Sequence, residues 1–228
     1  MGQSFALVSE DKLQSKTAAS AAHQREIVVL VHGLLRSYRS MTPLKVYLEK
    51  QGYQVYYFSY PSRQQSISQH AASLNQSIKQ LLAKNPDAKI HFVTHSMGGI
   101  LVREAVSKLP KNELKHIGCL VMLAPPNQGS VLAKLSTKMF PFVTSSIKPL
   151  ADLSSDQKAY VHHVPLPPIK MGIIAGRFDA KVPPSAARLE GLPEPKIVNS
   201  THTFIMNNAT TMKLVAEFLE NGTFDKKS

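Results

Sequence analysis

The chain has 228 residues, 43% of them hydrophobic, and carries a formal net charge of +12. That length and apolar content are enough to bury one core, and no apolar run approaches the roughly 18 residues of a membrane-spanning helix. The cations are scattered rather than grouped in an Arg-rich block with interleaved aromatics, which argues against binding of nucleic acid. Attraction to an anionic membrane surface remains open.

The two ends of the chain differ in composition from the middle. Residues 1–25 contain an Ala- and Ser-rich stretch and predict a flexible leader, without the basic and apolar regions of a signal peptide. As written, the sequence predicts a cytoplasmic protein, or an exported one if a leader was trimmed. Residues 26–222 predict one domain, and residues 223–228 a charged, frayed tail. The oligomeric state is left open.

Strand and helix patterns alternate from residue 26 onward. Apolar runs predict strands at 26–31, 53–60, 90–93, 117–124, 169–175 and 196–198. Helical patterns begin near residue 42, cover 66–83, follow residue 96 as far as 109, and cover 208–220. This alternation predicts an α/β fold: a doubly wound, mostly parallel sheet of about six strands, with helices on both faces.

The segment from Ile90 to Leu101 reads as a strand, a sharp turn and a helix, with Ser96 at the turn. This is the pattern of a nucleophile elbow, which exposes a serine hydroxyl at a helix N-terminus. Small residues are expected two positions on either side of the serine, because its backbone is strained. Gly98 fits that expectation and Thr94 departs from it. The sequence predicts Ser96 as a nucleophile, with an ordinary βα turn as the alternative.

A serine nucleophile needs a base, and the base needs an orienting group. His202 follows the last predicted strand and Asp179 follows the strand before it, so both are expected at the carboxyl edge of a parallel sheet, with Ser96. His95 is expected to point away from the serine and to be structural. The chain order Ser, Asp, His at three successive loops predicts a catalytic triad.

An oxyanion hole is expected between the elbow and the loop after the first strand. The backbone N–H groups of Met97 and Leu34 are the predicted donors. Gly33 would let the loop approach the substrate, and His32 would hold the shape of the loop by hydrogen bonds. These two residues and Leu35 are also predicted to contact the substrate.

The regular alternation breaks between the fourth and fifth predicted strands. Residues 127–167 predict a helical lid or cap insertion, with exposed apolar candidates that include Phe140 and Phe142. A mobile cover over a lipophilic cleft is one interpretation, and a small subdomain packed on the body is the other. Both phenylalanines are predicted to contact substrate.

Four motifs together resemble the α/β-hydrolases, and more narrowly the small bacterial lipases and esterases. They are Val31-His32-Gly33-Leu34, Thr94-His95-Ser96-Met97-Gly98-Gly99, Phe178-Asp179-Ala180-Lys181-Val182-Pro183 and His202-Thr203-Phe204. The similarity covers residues 26–219, and Ala124 to Ser130 is similar to the segment that leads into the lid of such lipases. The resemblance departs at Thr94, and two early strands of larger members are missing.

The resemblance implies a serine ester hydrolase that acts on lipid or other acyl esters through an acyl-enzyme. A short-chain carboxylesterase, a thioesterase or an acyltransferase would use the same triad. A non-enzymatic protein that binds an acyl ligand or a partner in the cleft is a further alternative. The sequence contains no phosphate loop, dinucleotide fingerprint or metal cluster, so no cofactor and no metal are expected.

Overall fold

The structure, a computed structural model, describes residues 25–129, 147, 149–153 and 160–225 of the chain. Its strands are β1 (Glu26–Val31), β2 (Gln54–Phe58), β3 (Lys89–His95), β4 (Ile117–Leu123), β5 (Lys170–Gly176) and β6 (Lys196–Val198). Its α-helices are α1 (Thr42–Lys50), α2 (Ile67–Lys84), α3 (Met97–Ser107), α4 (Lys111–Leu114), α5 (Pro149–Asp152), α6 (Pro184–Ala187) and α7 (Ala209–Asn221). Short 3-10 turns lie at Tyr38–Met41, Tyr160–His163 and Ile205–Asn207.

The six strands form one sheet in the order β2-β1-β3-β4-β5-β6, and every neighbouring pair is parallel. This confirms the predicted doubly wound α/β fold. The chain leaves β1 toward β2 on one side and returns to place β3 on the other side. The strand order therefore reverses between β1 and β3, and the carboxyl ends of the strands at such a reversal are where open α/β sheets bind ligands.

Apolar side chains cover both faces of the sheet, because the central strands are nearly continuous apolar runs. Alternate residues of β1 face opposite sides: Val29 belongs to one buried cluster and Leu30 to the other. Helices α2 and α3 supply the first cluster, whereas α1 and α7 supply the second. The strands are thus held rigidly, and their carboxyl ends give fixed positions to the loops.

Local signals in the sequence set the helix ends. Ser66 caps α2 through a capping box with Gln69, and Asn208 caps α7 by accepting a hydrogen bond from the N–H of Thr211 at 3.1 Å. Helix α7 ends at Gly222, which has a φ of 71°. The observed elements begin and end within a few residues of the predicted ones.

The segment after α7 differs from the frayed tail that the sequence predicts. Phe224 packs against Phe218 with ring centroids 4.6 Å apart, and Asp225 forms an ion pair with Lys196 at 3.0 Å. Because Phe224 is apolar, it covers the surface beside β5 instead of extending into solvent. Residues 1–24 and 226–228 lie outside the described residues, so the predicted leader stays a prediction.

None of the helices within the described ranges is both long enough and apolar enough to cross a bilayer.

Candidate active site

Ser96 lies in a sharp turn between the last residue of β3 and the first residue of α3. Its φ of 52° and ψ of −125° are values that non-glycine residues rarely adopt. The N–H of Ser96 donates to the carbonyl of Leu123 at 2.8 Å, which anchors the strained turn to the neighbouring strand. Such a conformation costs on the order of 1–3 kcal/mol and persists where the surrounding structure enforces it.

The two positions flanking the turn are constrained unequally. A Cβ added to Gly98 would lie 2.7 Å from the carbonyl oxygen of Val31 and 2.9 Å from that of His32, so only glycine fits there. Thr94 is fully buried, and its hydroxyl lies 3.4 Å from the carbonyl of Val121. The expectation of a small residue on both sides therefore holds at Gly98 and is wrong at Thr94. The side chain of Thr94 faces Gly99 in the first turn of α3, since a Cβ added to Gly99 would lie 3.3 Å from the hydroxyl oxygen of Thr94, and the glycine leaves room for the threonine.

Ser96, His202 and Asp179 form a hydrogen-bonded series in which His202 lies between the other two residues. The hydroxyl oxygen of Ser96 is 3.1 Å from Nε2 of His202, and Nδ1 of His202 is 2.7 Å from Oδ2 of Asp179. An N–H on Nδ1 donates to the carboxylate, which leaves the lone pair of Nε2 free to accept the serine proton. The three residues come from the loops after β3, β6 and β5.

The carboxylate of Asp179 is held on its other side as well. Its Oδ1 accepts hydrogen bonds from the N–H groups of Lys181 at 2.9 Å and Val182 at 2.7 Å. This is an Asx-type turn, in which the side chain shapes its own loop. Asp179 is buried, and the same turn that buries it aims Oδ2 at the imidazole.

His95 holds the loop that carries His202. Its Nε2 lies 2.9 Å from the carbonyl oxygen of His202, so the N–H of this nitrogen is the donor, and the two rings are 4.8 Å apart. Burial, followed by the charge of His202, lowers the pKa of His95 well below its usual value. A neutral imidazole that donates to the backbone of His202 can steady that residue, a contact that the sequence analysis did not anticipate.

The loop after β1 closes into a tight turn against the elbow. The N–H of Arg36 donates to the carbonyl of Gly33 at 3.3 Å, and the N–H of Leu35 donates to the hydroxyl of Ser62 at 3.1 Å. A Cβ on Gly33 would lie 3.0 Å from the Cβ of Ser96, so the glycine permits this close approach. The N–H of Leu34 lies in the same turn and takes part in neither of these two hydrogen bonds. Met97 begins α3, where the first N–H groups have no acceptor within the helix.

His32 lies inside the loop and not on its surface. Its ring is almost completely buried and stacks on Tyr60 at 4.4 Å, its Nδ1 lies 3.0 Å from the carbonyl of Gly33, and burial lowers its pKa. The hydroxyl of Tyr60 donates to the carbonyl of His32 at 2.7 Å. These contacts indicate that His32 holds the shape of the loop, and they argue against a direct contact between His32 and the substrate.

Leu35 lies in the loop after β1 and is largely exposed. Its side chain is 58% exposed and its φ is +58°. Of the residues predicted to contact substrate, Phe140 and Phe142 lie outside the described residues.

The described parts of the predicted cap insertion pack on the body. Leu153 and Val161 are buried in the cluster supplied by α2 and α3, and Oδ2 of Asp152 accepts the N–H of Ile67 at 3.1 Å. Residues 130–146, 148 and 154–159 lie outside the described residues. A cover over the cleft therefore remains a prediction.

A buried arginine ties this segment to the helix that follows Ser96. Arg103 donates to Oδ1 of Asn127 at 3.0 Å and to the carbonyl of Val164, and Nδ2 of Asn127 donates to the carbonyl of Ala187 at 2.8 Å. Burial lowers the pKa of Arg103 to about 10. The network joins α3 to the segment after β4 and to α6.

Within the described ranges, no three His, Cys, Asp or Glu side chains are grouped so that they could hold a metal ion.

Comparison with known proteins identifies the family. The α/β hydrolase fold model matches residues 26–145, which is more than half of the 228 residues. The chain therefore belongs to the α/β-hydrolase fold family, as its motifs predict. A search of the curated proteins found no match.

Several solved structures share the fold. The mature lipase of Bacillus licheniformis is 18% identical, with 86% of this chain and 92% of that chain covered and a TM-score of 0.70. A metagenomic carboxyl esterase is 21% identical, with 80% and 66% covered and a TM-score of 0.65. An esterase of Pyrococcus furiosus is 20% identical, with 86% and 83% covered and a TM-score of 0.60. At these identities the likeness establishes the fold.

Proposed function

We propose that the protein is a serine ester hydrolase in which Ser96 is the nucleophile, His202 the general base and Asp179 the orienting acid. One observation carries the proposal: the hydrogen-bonded series from the hydroxyl of Ser96 to Nε2 of His202, at 3.1 Å, and from Nδ1 of His202 to Asp179, at 2.7 Å. Membership of the hydrolase fold family supports the reaction class. The lipase and the two esterases that share the fold support an ester substrate.

The reaction has two halves that use the same groups. Nε2 of His202 takes the hydroxyl proton as the oxygen of Ser96 attacks the acyl carbonyl, and the imidazolium returns that proton to the departing alcohol. Water then enters, loses a proton to His202 and attacks the acyl-enzyme, which releases the acid and restores Ser96. Asp179 holds the imidazole in the required tautomer and stabilises its cation.

The negative oxygen of each tetrahedral intermediate needs fixed donors. We assign this role to the backbone N–H groups of Met97, at the start of α3, and Leu34, in the turn after β1. The neighbouring amides of Leu35 and Arg36 already donate to Ser62 and Gly33. Preorganised donors of this kind contribute about 3–4 kcal/mol of transition-state stabilisation each.

Lipid or longer acyl esters are the preferred substrates. Three large apolar side chains are exposed on loops that carry site residues: Leu35 after β1, Phe178 beside Asp179 and Phe204 beyond His202. Exposed apolar groups grouped around a cleft favour contact with acyl chains or a lipid interface. The net charge of +12 would attract the protein to an anionic membrane surface.

Two other classes of function, one enzymatic and one not, would use the same site. A short-chain carboxylesterase, a thioesterase or an acyltransferase would need the same triad and would differ in the pocket or in the acceptor that reaches the acyl-enzyme. A non-enzymatic protein would bind an acyl group without turnover. The second is disfavoured by the complete series of hydrogen bonds at Ser96, which simple binding does not require.

Hydrolysis of an ester series from short to long acyl chains tests the proposal, with Ser96→Ala measured in parallel. A kcat/KM that rises with chain length and falls roughly 10⁶-fold in Ser96→Ala is the expected result. Activity confined to short chains would favour the carboxylesterase. Labelling of Ser96 by a phosphonate probe separates an active triad from a binding protein. Wild-type turnover that survives in Ser96→Ala would remove the nucleophile assignment.

A further inference from the structure

A cavity of about 440 Å³, open to solvent, lies beside the turn that follows β1. It lies between two loops, and its lining consists of Leu35, Arg36, Ser37, Tyr60, Pro61, Ser62, Arg63 and Gln64. The lining contains two arginines, Arg36 and Arg63, and no acidic residue. A cavity of this size accepts a small ligand or one part of a larger one.

The cavity wall is tied together by ordered contacts. The N–H of Leu35 donates to Ser62 across the two loops, and the hydroxyl of Tyr60 donates to the carbonyl of His32. The backbone at Leu35 is held at a φ of +58°, although its side chain is largely exposed. Strained backbone is commonly kept at ligand sites, where the surrounding structure enforces it.

The cavity is close to the proposed nucleophile. Gly33 touches the elbow, since a Cβ added to it would lie 3.0 Å from the Cβ of Ser96. Gly33 and Arg36 are the ends of one hydrogen-bonded turn, and the Cα atoms at such ends are less than about 7 Å apart. The backbone of Arg36 is therefore within roughly 12 Å of Ser96.

Neither cavity arginine has a carboxylate partner in the described part of the chain. Arg188, in contrast, pairs with Glu194 at 2.8 Å. The charge of Arg36 also contributes to lowering the pKa of His95, behind the larger effects of burial and of His202. Among the described residues, no acidic side chain neutralises the positive charge at the cavity, and the charge of Arg36 is felt at His95, next to Ser96.

We propose that this cavity binds the anionic group of the substrate, a phosphate or a carboxylate, while the ester carbonyl is held at Ser96. Arg36 and Arg63 would receive the anion, because a guanidinium group presents paired N–H donors that match the oxygens of either group. The inference rests on the proposed ester hydrolysis and narrows its substrate class to esters with a negative charge near the scissile bond. The phosphate would belong to the alcohol part of the ester, and the carboxylate to the acyl part.

Two matched pairs of esters test this assignment and separate the two anions. The first pair is 1-hexanoylglycerol and its 3-phosphate, and the second is ethyl hexanoate and the monoethyl ester of adipic acid. We expect the anionic member of at least one pair to have the higher kcat/KM. We expect that preference to fall at least about 10-fold in Arg36→Ala and Arg63→Ala, the effect of one lost charge-assisted contact.

Arg25→Ala is the matched control. Arg25 is exposed at the amino-terminal edge of the sheet, so its loss removes the same charge far from the cavity. A preference that falls equally in Arg25→Ala would reveal a general charge effect and overturn the assignment. So would a wild-type enzyme that hydrolyses both members of each pair equally.

A binding measurement keeps this inference distinct from the proposed catalysis. Titration of the Ser96→Ala protein with n-hexyl phosphate and with hexanoate should show binding that the added Arg36→Ala change weakens about 10-fold. Binding without wild-type turnover of any ester would reject the hydrolase and retain the anion site. Turnover of neutral esters without anion preference or binding would retain the hydrolase and reject the anion site.

Discussion

The strands of the sheet are covered on both faces by apolar side chains, whereas the loops at their carboxyl ends hold strained backbone and buried polar groups. Among the described residues, the non-glycine positions with positive φ are Leu35, Ser96 and Ala124, which follow β1, β3 and β4. The central strands supply residues such as Phe92 that have no exposed surface. The apolar interior stabilises the fold. This stability offsets the free-energy cost of strained backbone and buried polar groups at the edge of the sheet where the chemistry is proposed.

After the loss expected for Ser96→Ala, the largest effect on activity with little effect on stability is expected at Asp179. Asp179→Asn keeps an oxygen for the N–H groups of Lys181 and Val182 but presents the wrong hydrogen-bonding group to His202. We expect kcat/KM to fall roughly 10⁴-fold because the imidazole is held in the wrong tautomer. The measurement is hydrolysis of the best ester alongside a denaturation curve. Near-normal activity at high protein purity would contradict the assigned role.

The reverse pattern is expected in the interior. Phe92→Ala should lower the free energy of unfolding by about 3–5 kcal/mol, because it leaves a cavity at the centre of the sheet. Where the variant remains folded, its kcat/KM should be close to that of the wild type. Phe204→Ala is the matched control, since Phe204 is 61% exposed and its loss should change stability by less than about 0.5 kcal/mol. Equal losses in the two variants would contradict the division between interior and edge.

A dependence of stability on pH should arise from histidines buried near the edge. His70 has no exposed surface, and both of its ring nitrogens lack hydrogen-bond partners in the described part of the chain. Its ring packs against Tyr60 in a T-shaped arrangement, with the ring centroids 4.7 Å apart. Burial, followed by the charge of His32, lowers the pKa of His70, and burial also lowers the pKa values of His32 and His95.

The sign of the effect follows from these directions. Each histidine takes up a proton more readily in the unfolded chain, whose pKa is about 6.5, than in the fold. Stability is therefore complete above about pH 6.5 and falls as the pH is lowered from there toward the folded pKa values. His70→Phe keeps an aromatic ring against Tyr60 and removes one titrating group. The free energy of unfolding of this variant should therefore fall less steeply than that of the wild type as the pH is lowered. An identical slope between pH 7 and 5 would contradict this prediction.

His95 is expected to act through His202. His95→Ala removes the donor to the carbonyl of His202. We expect kcat to fall about 10-fold, because the loop that carries His202 then holds the imidazole less firmly in position. His95→Gln, whose amide can donate from a similar position, should recover most of the loss. Failure of Gln to differ from Ala would indicate that His95 matters for packing alone.

The sheet and its helices could be predicted from the sequence because their signals are local. Apolar runs marked the strands, and Asn208 and Gly222 marked the ends of α7. Gly98 matches the small residue expected two positions after Ser96, whereas Thr94 shows that the position two residues before the serine accepts a larger side chain. Phe224 was assigned to a frayed tail because a single apolar residue among charges gives no periodic signal.

The contacts that complete the site could not be predicted, because they join loops distant in sequence. His95 and His202 are 107 residues apart, and no local pattern relates them. The cavity at Arg36 depends in the same way on the bond between Leu35 and Ser62, which are 27 residues apart. The pattern of strand, turn and helix indicates Ser96, and chain order then indicates Asp179 and His202 as candidates, since the carboxyl ends of parallel strands meet at one edge.

The smallest expected effect concerns the strain at Leu35. Its φ of +58° lies at the third position of the Gly33–Arg36 turn, where glycine is favoured. Leu35→Gly should raise the free energy of unfolding by about 1 kcal/mol or less, since relief of strain exceeds the added freedom of the unfolded chain. Leu35→Ala is the control, because it removes the exposed side chain and keeps the strained Cβ.

The two Leu35 variants also separate strain from substrate contact. Both lose the apolar side chain, so both should hydrolyse long-chain esters less well than the wild type if Leu35 contacts the acyl group. Only the glycine variant should gain stability in a denaturant titration. A glycine variant less stable than the alanine variant would show that the turn is not strained, and would weaken the contrast between a relaxed interior and a strained edge.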